Sequence, residues 1–180
     1  KKIIISTLTT HVEIKKIPKI ISNKKYIYNQ IYNLNKTLKI DFNISKPKIL
    51  ISGFNPHAGE KGKIGNEEIN TIIPVVKKLQ KIGVDINGPF SADSLLIKKN
   101  LNTFNCFIFM YHDQALIPFK YISQFSGVNY TGNLNIIRTS PDHGTAYNLL
   151  GSKDISNKSF INSYKLINQI YKNRIINGKT

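Results

Sequence analysis

The sequence predicts an α/β layered fold. Short apolar runs typical of strands alternate with segments of helical periodicity, and the chain contains no internal repeat. Hydrophobic residues occupy 41% of the 180 positions and charged residues only 20%, which provides enough apolar surface for a core. Strands and helices in alternation pack as layers, and the length fits one domain or part of a larger one.

The first half of the chain predicts two strand–helix pairs. The strands are indicated by short runs rich in Ile, and the helices by apolar residues three and four positions apart. The second helix opens with the acidic residues Glu67 and Glu68, which suit the positive end of the helix dipole, and Gly83 closes it. In chain order these elements cover residues 2–8, 17–39, 48–53 and 66–81.

The second half predicts one buried strand followed by weaker signals and two helices. Residues 104–111 form an apolar run, as expected of a strand inside the core. The other predictions are a loop or edge strand over residues 127–135, an extended segment over 136–138, a helix after 143–146 and a helix over 159–176.

The charge of the chain is strongly positive, with 26 Lys and Arg against 10 Asp and Glu, for a formal net charge of +16. Only Arg138 and Arg174 are arginine, and the lysines are scattered in ones and twos among abundant Ile and Asn. These three residue types have codons rich in A and T, so we attribute the charge to mutational bias. No zinc-finger or RNP-like pattern frames the aromatic residues, and no nucleic-acid partner is expected.

The sequence also indicates the compartment. No apolar run approaches the roughly 20 residues needed to span a bilayer, and residues 1–5 lack the features of a signal peptide. The single cysteine, Cys106, lies in an apolar run, which predicts a buried inert thiol and excludes a disulfide scaffold. We therefore expect a soluble protein in the reducing cytoplasm, without a membrane partner.

Three of the four histidines, His11, His57 and His112, follow predicted strands. This is the side of an α/β sheet where ligands bind. Imidazoles from separate strand ends can converge on one divalent cation and leave coordination positions open for a substrate. Alternatively, each histidine is a polar strand-end residue bonded to nearby backbone, and the spacing alone leaves both interpretations open.

A second group of residues is suited to binding an anion. Lys120, Asn129 and Arg138 are nine residues apart each time. Arginine grips carboxylate or phosphate in a planar fork that lysine cannot reproduce, although a surface ion pair is an alternative role for Arg138. The small residues of the turn at 140–146 would allow a nucleotide to approach closely.

A series of motifs runs through nearly the whole chain. In order they are Thr-Thr-His at 9–11, Asn-Pro-His-Ala-Gly-Glu at 55–60, Gly-Pro at 88–89, Met-Tyr-His-Asp-Gln at 110–114, Gly-Val-Asn at 127–129, Ile-Arg-Thr-Ser at 137–140 and Asp-His-Gly-Thr-Ala at 142–146. Together they resemble the 4-hydroxythreonine-4-phosphate dehydrogenase family, the NAD-dependent enzymes of vitamin B6 synthesis. The resemblance implies an isocitrate/isopropylmalate dehydrogenase-like fold.

The resemblance also implies roles for individual residues. The family's metal ligands, shared between the subunits of a homodimer, correspond to His11, His57 and His112, with Zn, Co, Mn or Mg as the metal. Its substrate-binding residues correspond to Lys120, Asn129 and Arg138. The adenosine-binding turn of the wider group of decarboxylating dehydrogenases corresponds to His143, Gly144, Thr145 and Ala146.

The implied reaction is the oxidation and decarboxylation of 4-phosphohydroxy-L-threonine to 3-amino-2-oxopropyl phosphate, in pyridoxal phosphate synthesis. NAD accepts the hydride, and a divalent cation would favour hydride departure and stabilise the enolate formed on decarboxylation. Two alternatives remain open. One is a paralogue acting on another phosphorylated sugar acid, and the other is a non-catalytic, dimerising, metal-binding remnant.

The chain departs from the family in length. The N-terminal half of the family's sequence, with a His-Thr pair that binds substrate, has no counterpart here. We therefore expect residues 1–126 to form the second, dimer-forming and metal-binding domain, and residues 127–180 to be the returning segment of an incomplete first domain. On this interpretation the chain alone turns over little or no NAD.

Overall fold

The computed structural model describes residues 3–142 and 156–178. Within them the chain divides into two compact units. The first unit runs to Asn35 and resumes over Ser45–Pro118, and the second comprises Lys36–Ile44 and the chain from Phe119 onward. The predicted assignment of residues 1–126 and 127–180 to two domains of the family stays a prediction.

The first unit contains a four-stranded sheet in which every pairing is parallel. The strand order is β1-β4-β2-β3, with β4 and β2 in the centre. All four residues of β4 are buried, which explains its continuous apolar sequence, because a central parallel strand is covered on both faces. The strands are β1 (Ile4–Thr7), β2 (Lys48–Ser52), β3 (Asp85–Phe90) and β4 (Cys106–Phe109).

Five helices begin in the first unit: α1 (Ile17–Ile21), α2 (Lys24–Ile40), α3 (Ile73–Lys81), α4 (Lys98–Thr103) and α5 (His112–Ser123). The helix predicted over residues 17–39 is divided into α1 and α2. The division falls at Asn23, whose side-chain oxygen accepts a hydrogen bond from the backbone N–H of Tyr26 at 3.0 Å and so starts a new helix.

The helix predicted over residues 66–81 begins with a wider, π-helical turn over Glu68–Ile72. The N–H of Ile73 donates to the carbonyl of Glu68, five residues earlier. Pro74 then occupies the first turn of α3, where its missing N–H would have no helical partner. Gly83, predicted to close the helix, has a φ of 83°.

The sequence did not predict β3, α4 or α5. Gly88 and Pro89 lie within β3 and are residue types that strands usually avoid, but proline is tolerated there because β3 is at the edge of the sheet. Pro118 lies within α5, which begins directly at His112, and a proline inside a helix weakens its sequence signal.

In the part of the second unit that the structure describes, the chain forms an antiparallel strand pair and one long helix. Strands β5 (Val128–Thr131) and β6 (Arg138–Pro141) pair with Thr131 opposite Arg138. Helix α6 (Lys158–Ile176) confirms the helix predicted over residues 159–176. The helix predicted after residues 143–146 lies outside the described residues.

A buried ion pair stabilises the second unit. Arg174 of α6 donates from Nε to Oδ1 of Asp41 at 2.7 Å, and the hydroxyl of Tyr130 donates to Oδ2 of the same carboxylate at 2.6 Å. Asp41 is 1% exposed and Arg174 4%. Burial and the neighbouring carboxylate raise the pKa of Tyr130 well above its usual value.

Two further sequence predictions bear on the core and on membranes. Cys106 is fully buried in β4, and this burial raises the pKa of its thiol to about 12, as expected of an inert cysteine. Among the helices that the structure describes, none combines the length and the apolar character that a bilayer crossing requires.

Candidate functional site

His11 and His112 lie together at the carboxyl edge of the parallel sheet. They follow β1 and β4, which are neighbouring strands paired with Thr7 opposite Phe109. The two chains stay hydrogen-bonded beyond the strands, since Leu8 N–H donates to the carbonyl of Phe109 at 2.9 Å and Thr9 N–H to that of Met110 at 3.1 Å. As a result, the centroids of the two imidazole rings are only 5.5 Å apart.

A carboxylate fixes the orientation of His112. Its Nδ1 lies 3.0 Å from Oδ1 of Asp113. A carboxylate can only accept, so in the neutral imidazole Nδ1 carries the proton and Nε2 keeps its lone pair. This is the arrangement in which histidine ligates metals, because the carboxylate sets the tautomer and the orientation of the ring. Asp113 belongs to the Met-Tyr-His-Asp-Gln motif, in which no role was predicted for it.

Gln114 of the same motif links the ends of the two central strands. Its Oε1 accepts from the N–H of Met110 at 2.8 Å and from the hydroxyl of Ser52 at 3.2 Å, while its Nε2 donates to the carbonyl of Gly53 at 3.1 Å. Gln114 therefore fixes the start of the loop that carries His57 against the start of the loop that carries His112.

His57 lies in a left-handed turn that follows β2. Five consecutive residues, 57–61, have φ between 42° and 77°, and only Gly59 among them is glycine. Left-handed backbone costs about 1–2 kcal/mol for each non-glycine residue, so the four others cost roughly 4–8 kcal/mol. His57 itself is exposed at the surface of this turn.

The carboxylate of Glu68 offsets the strain of this turn. Glu68 is 1% exposed, and its Oε1 accepts from the N–H groups of Phe54 at 2.7 Å and Asn55 at 2.8 Å. Its Oε2 accepts from Nδ2 of Asn55 at 2.9 Å. Hydrogen bonds to a charged group contribute about 1.5–3 kcal/mol each, so these three contribute roughly 4.5–9 kcal/mol, close to the cost of the turn.

The histidines suit a divalent cation in their donor chemistry. His11 and His112 provide two neighbouring imidazoles, one of them held by a carboxylate, and imidazole is a preferred ligand of zinc and cobalt. Across residues 3–142 and 156–178, no three His, Cys, Asp or Glu side chains converge to hold a metal ion. One chain thus brings two of the three predicted ligands together, and the complete set stays a prediction.

The predicted anion-binding residues lie in the second unit. Asn129 and Thr131 share one face of β5, and Arg138 of β6 is opposite Thr131, which places Asn129 and Arg138 on the same face of the strand pair. Both side chains are exposed, and Nη1 of Arg138 donates to the hydroxyl of Thr131 at 2.8 Å. Within the described residues Arg138 forms no ion pair, and its binding role and the alternative surface ion pair both stay predictions.

Lys120, near the end of α5, is exposed and pairs with the segment after β6. Its Nζ lies 3.6 Å from Oδ1 of Asp142 and 3.4 Å from the Asp142 carbonyl oxygen. An exposed pair of this length contributes little to stability, so the ammonium group is available to an anion. The predicted nucleotide-binding residues His143, Gly144, Thr145 and Ala146 lie outside the described residues.

Known proteins resemble this chain along most of its length. A 4-hydroxythreonine-4-phosphate dehydrogenase of Sulfurihydrogenibium sp. is 42% identical over 166 residues, covering 92% of this chain and 51% of that protein. The protein of the same name from Bacteroides thetaiotaomicron is 38% identical over 170 residues, covering 94% of this chain and 46% of its own length. The chain therefore spans about half the length of the curated relatives it matches.

Solved structures agree with the fold. The crystal structure of a 4-hydroxythreonine-4-phosphate dehydrogenase from Klebsiella pneumoniae has a TM-score of 0.80 at 32% identity, over 92% of this chain and 50% of that one. A terephthalate 1,2-cis-dihydrodiol dehydrogenase from Burkholderia xenovorans has a TM-score of 0.71 at 25% identity, over 93% and 52%. These neighbours confirm the predicted α/β fold of the isocitrate/isopropylmalate dehydrogenase type.

The profile of one protein family matches residues 1–167, which is most of the chain. That family is described as the pyridoxal phosphate biosynthetic protein PdxA. Its match agrees with the motifs, with the relatives that are named as dehydrogenases and with the fold. The chain belongs to the PdxA family of pyridoxal phosphate biosynthetic proteins.

Proposed function

We propose that this chain carries metal-binding and substrate-binding groups of a NAD-dependent 4-hydroxythreonine-4-phosphate dehydrogenase. The observation that carries the proposal is the pair of His11 and His112, with rings 5.5 Å apart at the ends of adjacent parallel strands and with Asp113 bonded to one of them. A pair of strand-end histidines without a ligand would not need a carboxylate to fix the tautomer. The family membership supplies the reaction class.

The proposed reaction has two stages. The 3-hydroxyl of 4-phosphohydroxy-L-threonine is oxidised, and the resulting β-keto acid loses carbon dioxide to give 3-amino-2-oxopropyl phosphate. A divalent cation supplies positive charge at the reacting oxygen, and NAD accepts the hydride. The product feeds pyridoxal phosphate synthesis in the cytoplasm.

The residues of the first unit hold the cation. His11 and His112 bind it through ring nitrogens, with His57 as the third ligand. Asp113 bonds to Nδ1 of His112, which leaves Nε2 of the same ring to face the cation. Because the described part of one chain brings two histidines together, we propose that the third comes from the other subunit of a homodimer.

The residues of the second unit bind the anionic groups of the substrate. The guanidinium of Arg138 can exchange its bond with the Thr131 hydroxyl for a two-pronged contact with phosphate or carboxylate. Asn129 on the same strand face donates a further hydrogen bond. Lys120 adds a point charge, and the turn His143, Gly144, Thr145 and Ala146 is proposed to contact NAD.

A metal-content measurement tests this function. The chain is purified without chelator, and zinc is quantified in wild type and in His11→Ala, His57→Ala and His112→Ala. We expect each variant to lose most of the metal, and the exposed-residue variant Lys172→Ala to retain it. Equal metal content in wild type and all three histidine variants would disprove the assignment.

We further propose that catalysis needs more polypeptide than these 180 residues. Hydride transfer requires the donor carbon and the nicotinamide at near-contact distance, and small misplacements cost about 100-fold in rate. With 4-phosphohydroxy-L-threonine, NAD and Zn²⁺, the chain alone should form NADH slowly or not at all. Addition of a polypeptide matching the uncovered half of the Sulfurihydrogenibium relative should raise the rate, and robust turnover by the chain alone would contradict this.

A paralogue with another substrate is the second candidate. It is supported only in that a structural neighbour at 25% identity is named for a different substrate, a cis-dihydrodiol of terephthalate, so the fold serves more than one substrate; the substrate considered for this chain is another phosphorylated sugar acid. The two candidates differ in which ligand binds best. Titration with 4-phosphohydroxy-L-threonine and with phosphorylated sugar acids of similar size separates them, because the primary proposal requires the first to bind most tightly.

A further inference from the structure

We propose that Glu68 is the positioning residue that places His57 for metal binding. The inference rests on the proposed role of His57 as a ligand and goes beyond it. Glu68 does not touch the metal in this proposal. It acts through the backbone of the left-handed turn over residues 57–61, which follows directly from the segment that its carboxylate binds.

Glu68 is a buried carboxylate without a cationic partner. It is 1% exposed, and among the described residues it forms no ion pair. Three N–H donors satisfy it instead, two from the backbone of Phe54 and Asn55 and one from the side chain of Asn55. The carboxylate thus fixes the backbone at Phe54 and Asn55, directly before Pro56 and His57.

The fit around the carboxylate is tight on the side of the turn. A methyl group on Gly59 would lie 2.7 Å from Oε2 of Glu68, and one on Gly53 would lie 3.1 Å from Oε1. Both glycines bring the backbone into contact with the carboxylate from either side of His57. The loop from β2 to residue 59 is therefore wrapped around this one side chain, and any shift of the carboxylate moves the turn.

A purely stabilising role does not account for this placement. Glu68 contacts residues 53–59 and supports the one left-handed turn of the described chain that carries a predicted ligand at its start. Metal ligands must be held to within about 0.5 Å of their working positions. Loss of the carboxylate leaves the strained residues of the turn without their support, so the imidazole of His57 moves even if the fold survives.

The test measures Co²⁺ binding by the 180-residue chain. Glu68→Gln keeps the shape of the side chain but replaces one carboxylate oxygen by an NH2 group, which cannot accept a hydrogen bond from the N–H donors. Partners that orient a metal ligand typically contribute 10–100-fold in affinity, so we expect Co²⁺ to bind 10–100-fold more weakly. We also expect the visible absorption of the Co²⁺ complex to change, because it reports ligand number and geometry.

Two control variants separate positioning from stability and from local charge. Glu60→Gln removes an exposed carboxylate from the same turn and should leave affinity and spectrum unchanged. Asp41→Asn removes an equally buried carboxylate from the second unit and should lower the melting temperature without altering the Co²⁺ spectrum. If Glu68→Gln does not fold, Asn55→Ala, which removes one of the three bonds, should weaken Co²⁺ binding several-fold.

The outcomes distinguish the two levels of the proposal. If His57→Ala abolishes the wild-type spectrum while Glu68→Gln and Asn55→Ala both reproduce wild-type affinity and spectrum, the positioning role is wrong and the ligand role stands. If His57→Ala itself binds Co²⁺ like wild type, the ligand role is wrong and the positioning role falls with it. Weakened binding in Asp41→Asn equal to that in Glu68→Gln would also overturn the inference.

Discussion

Replacing Arg174 by alanine is expected to lower the free energy of unfolding of the second unit by about 3–5 kcal/mol. The variant removes one member of a buried ion pair and leaves the carboxylate of Asp41, 1% exposed, with the Tyr130 hydroxyl as its remaining side-chain partner. Such an uncompensated buried charge is among the most destabilising changes a single substitution can make.

The magnitude follows from the bonds that are lost. Arg174 donates to Asp41 from Nε at 2.7 Å and from Nη2 at 3.4 Å, and its Nη1 donates to the carbonyl of Asn135 at 3.1 Å. The short, charge-assisted bond alone contributes about 1.5–3 kcal/mol, and desolvation of the unpaired carboxylate adds to its loss.

Urea unfolding provides the assay, with far-ultraviolet circular dichroism and tyrosine fluorescence as probes. At an m-value of about 2 kcal/mol/M, the predicted loss shifts the midpoint by about 1.5–2.5 M. Lys172→Ala, an exposed change on the same helix, is the matched control and should stay within about 0.5 kcal/mol of wild type. A loss below about 1 kcal/mol for Arg174→Ala would show that the buried ion pair does not stabilise the second unit.

Three further predictions use the same structure. Burial raises the pKa of the Cys106 thiol to about 12, so the thiol should not react with a thiol reagent at pH 8 until urea unfolds the chain. Rapid reaction in the native state would disprove its burial. Tyr130 has a folded-state pKa above its unfolded value of about 10, so its phenol contributes fully to the free energy of unfolding below pH 10, and this contribution falls as the pH rises further. When unfolding is measured across this pH range, Tyr130→Phe should show a flatter decline than wild type. Arg138→Lys keeps the positive charge but loses the planar guanidinium fork, so it should weaken binding of the phosphorylated substrate by about 1–3 kcal/mol. Calorimetric titration measures this, and an effect no larger than that of Lys172→Ala would rule out a substrate-binding role for Arg138.

The sequence predicted those parts of the fold that depend on local pattern. The apolar run around β4 indicated a buried strand, and the structure places that strand in the centre of the sheet. Periodicity located α6 to within one residue. The sequence also predicted that three histidines follow strands, because the end of an apolar run is a local feature.

What the sequence could not predict depends on contacts between distant segments. The order β1-β4-β2-β3, which brings His11 beside His112, joins residues about a hundred positions apart. Glu68 was interpreted as a helix-dipole residue, whereas its carboxylate points back to Phe54 and Asn55, 13–14 residues earlier. The left-handed turn at His57 has no signal beyond Gly59, since four of its five residues are of types that rarely adopt positive φ.

Anomalous diffraction at the zinc edge, on crystals of the chain grown with one equivalent of Zn²⁺, would show whether His11 and His112 bind a metal ion together. Zinc bonds to imidazole nitrogen at about 2.0–2.1 Å. We expect a peak within that distance of ring nitrogens of both His11 and His112, with Asp113 on the far side of the His112 ring. A fully occupied zinc peak elsewhere, with neither of these two imidazoles bonded to it, would show that the two histidines are not metal ligands.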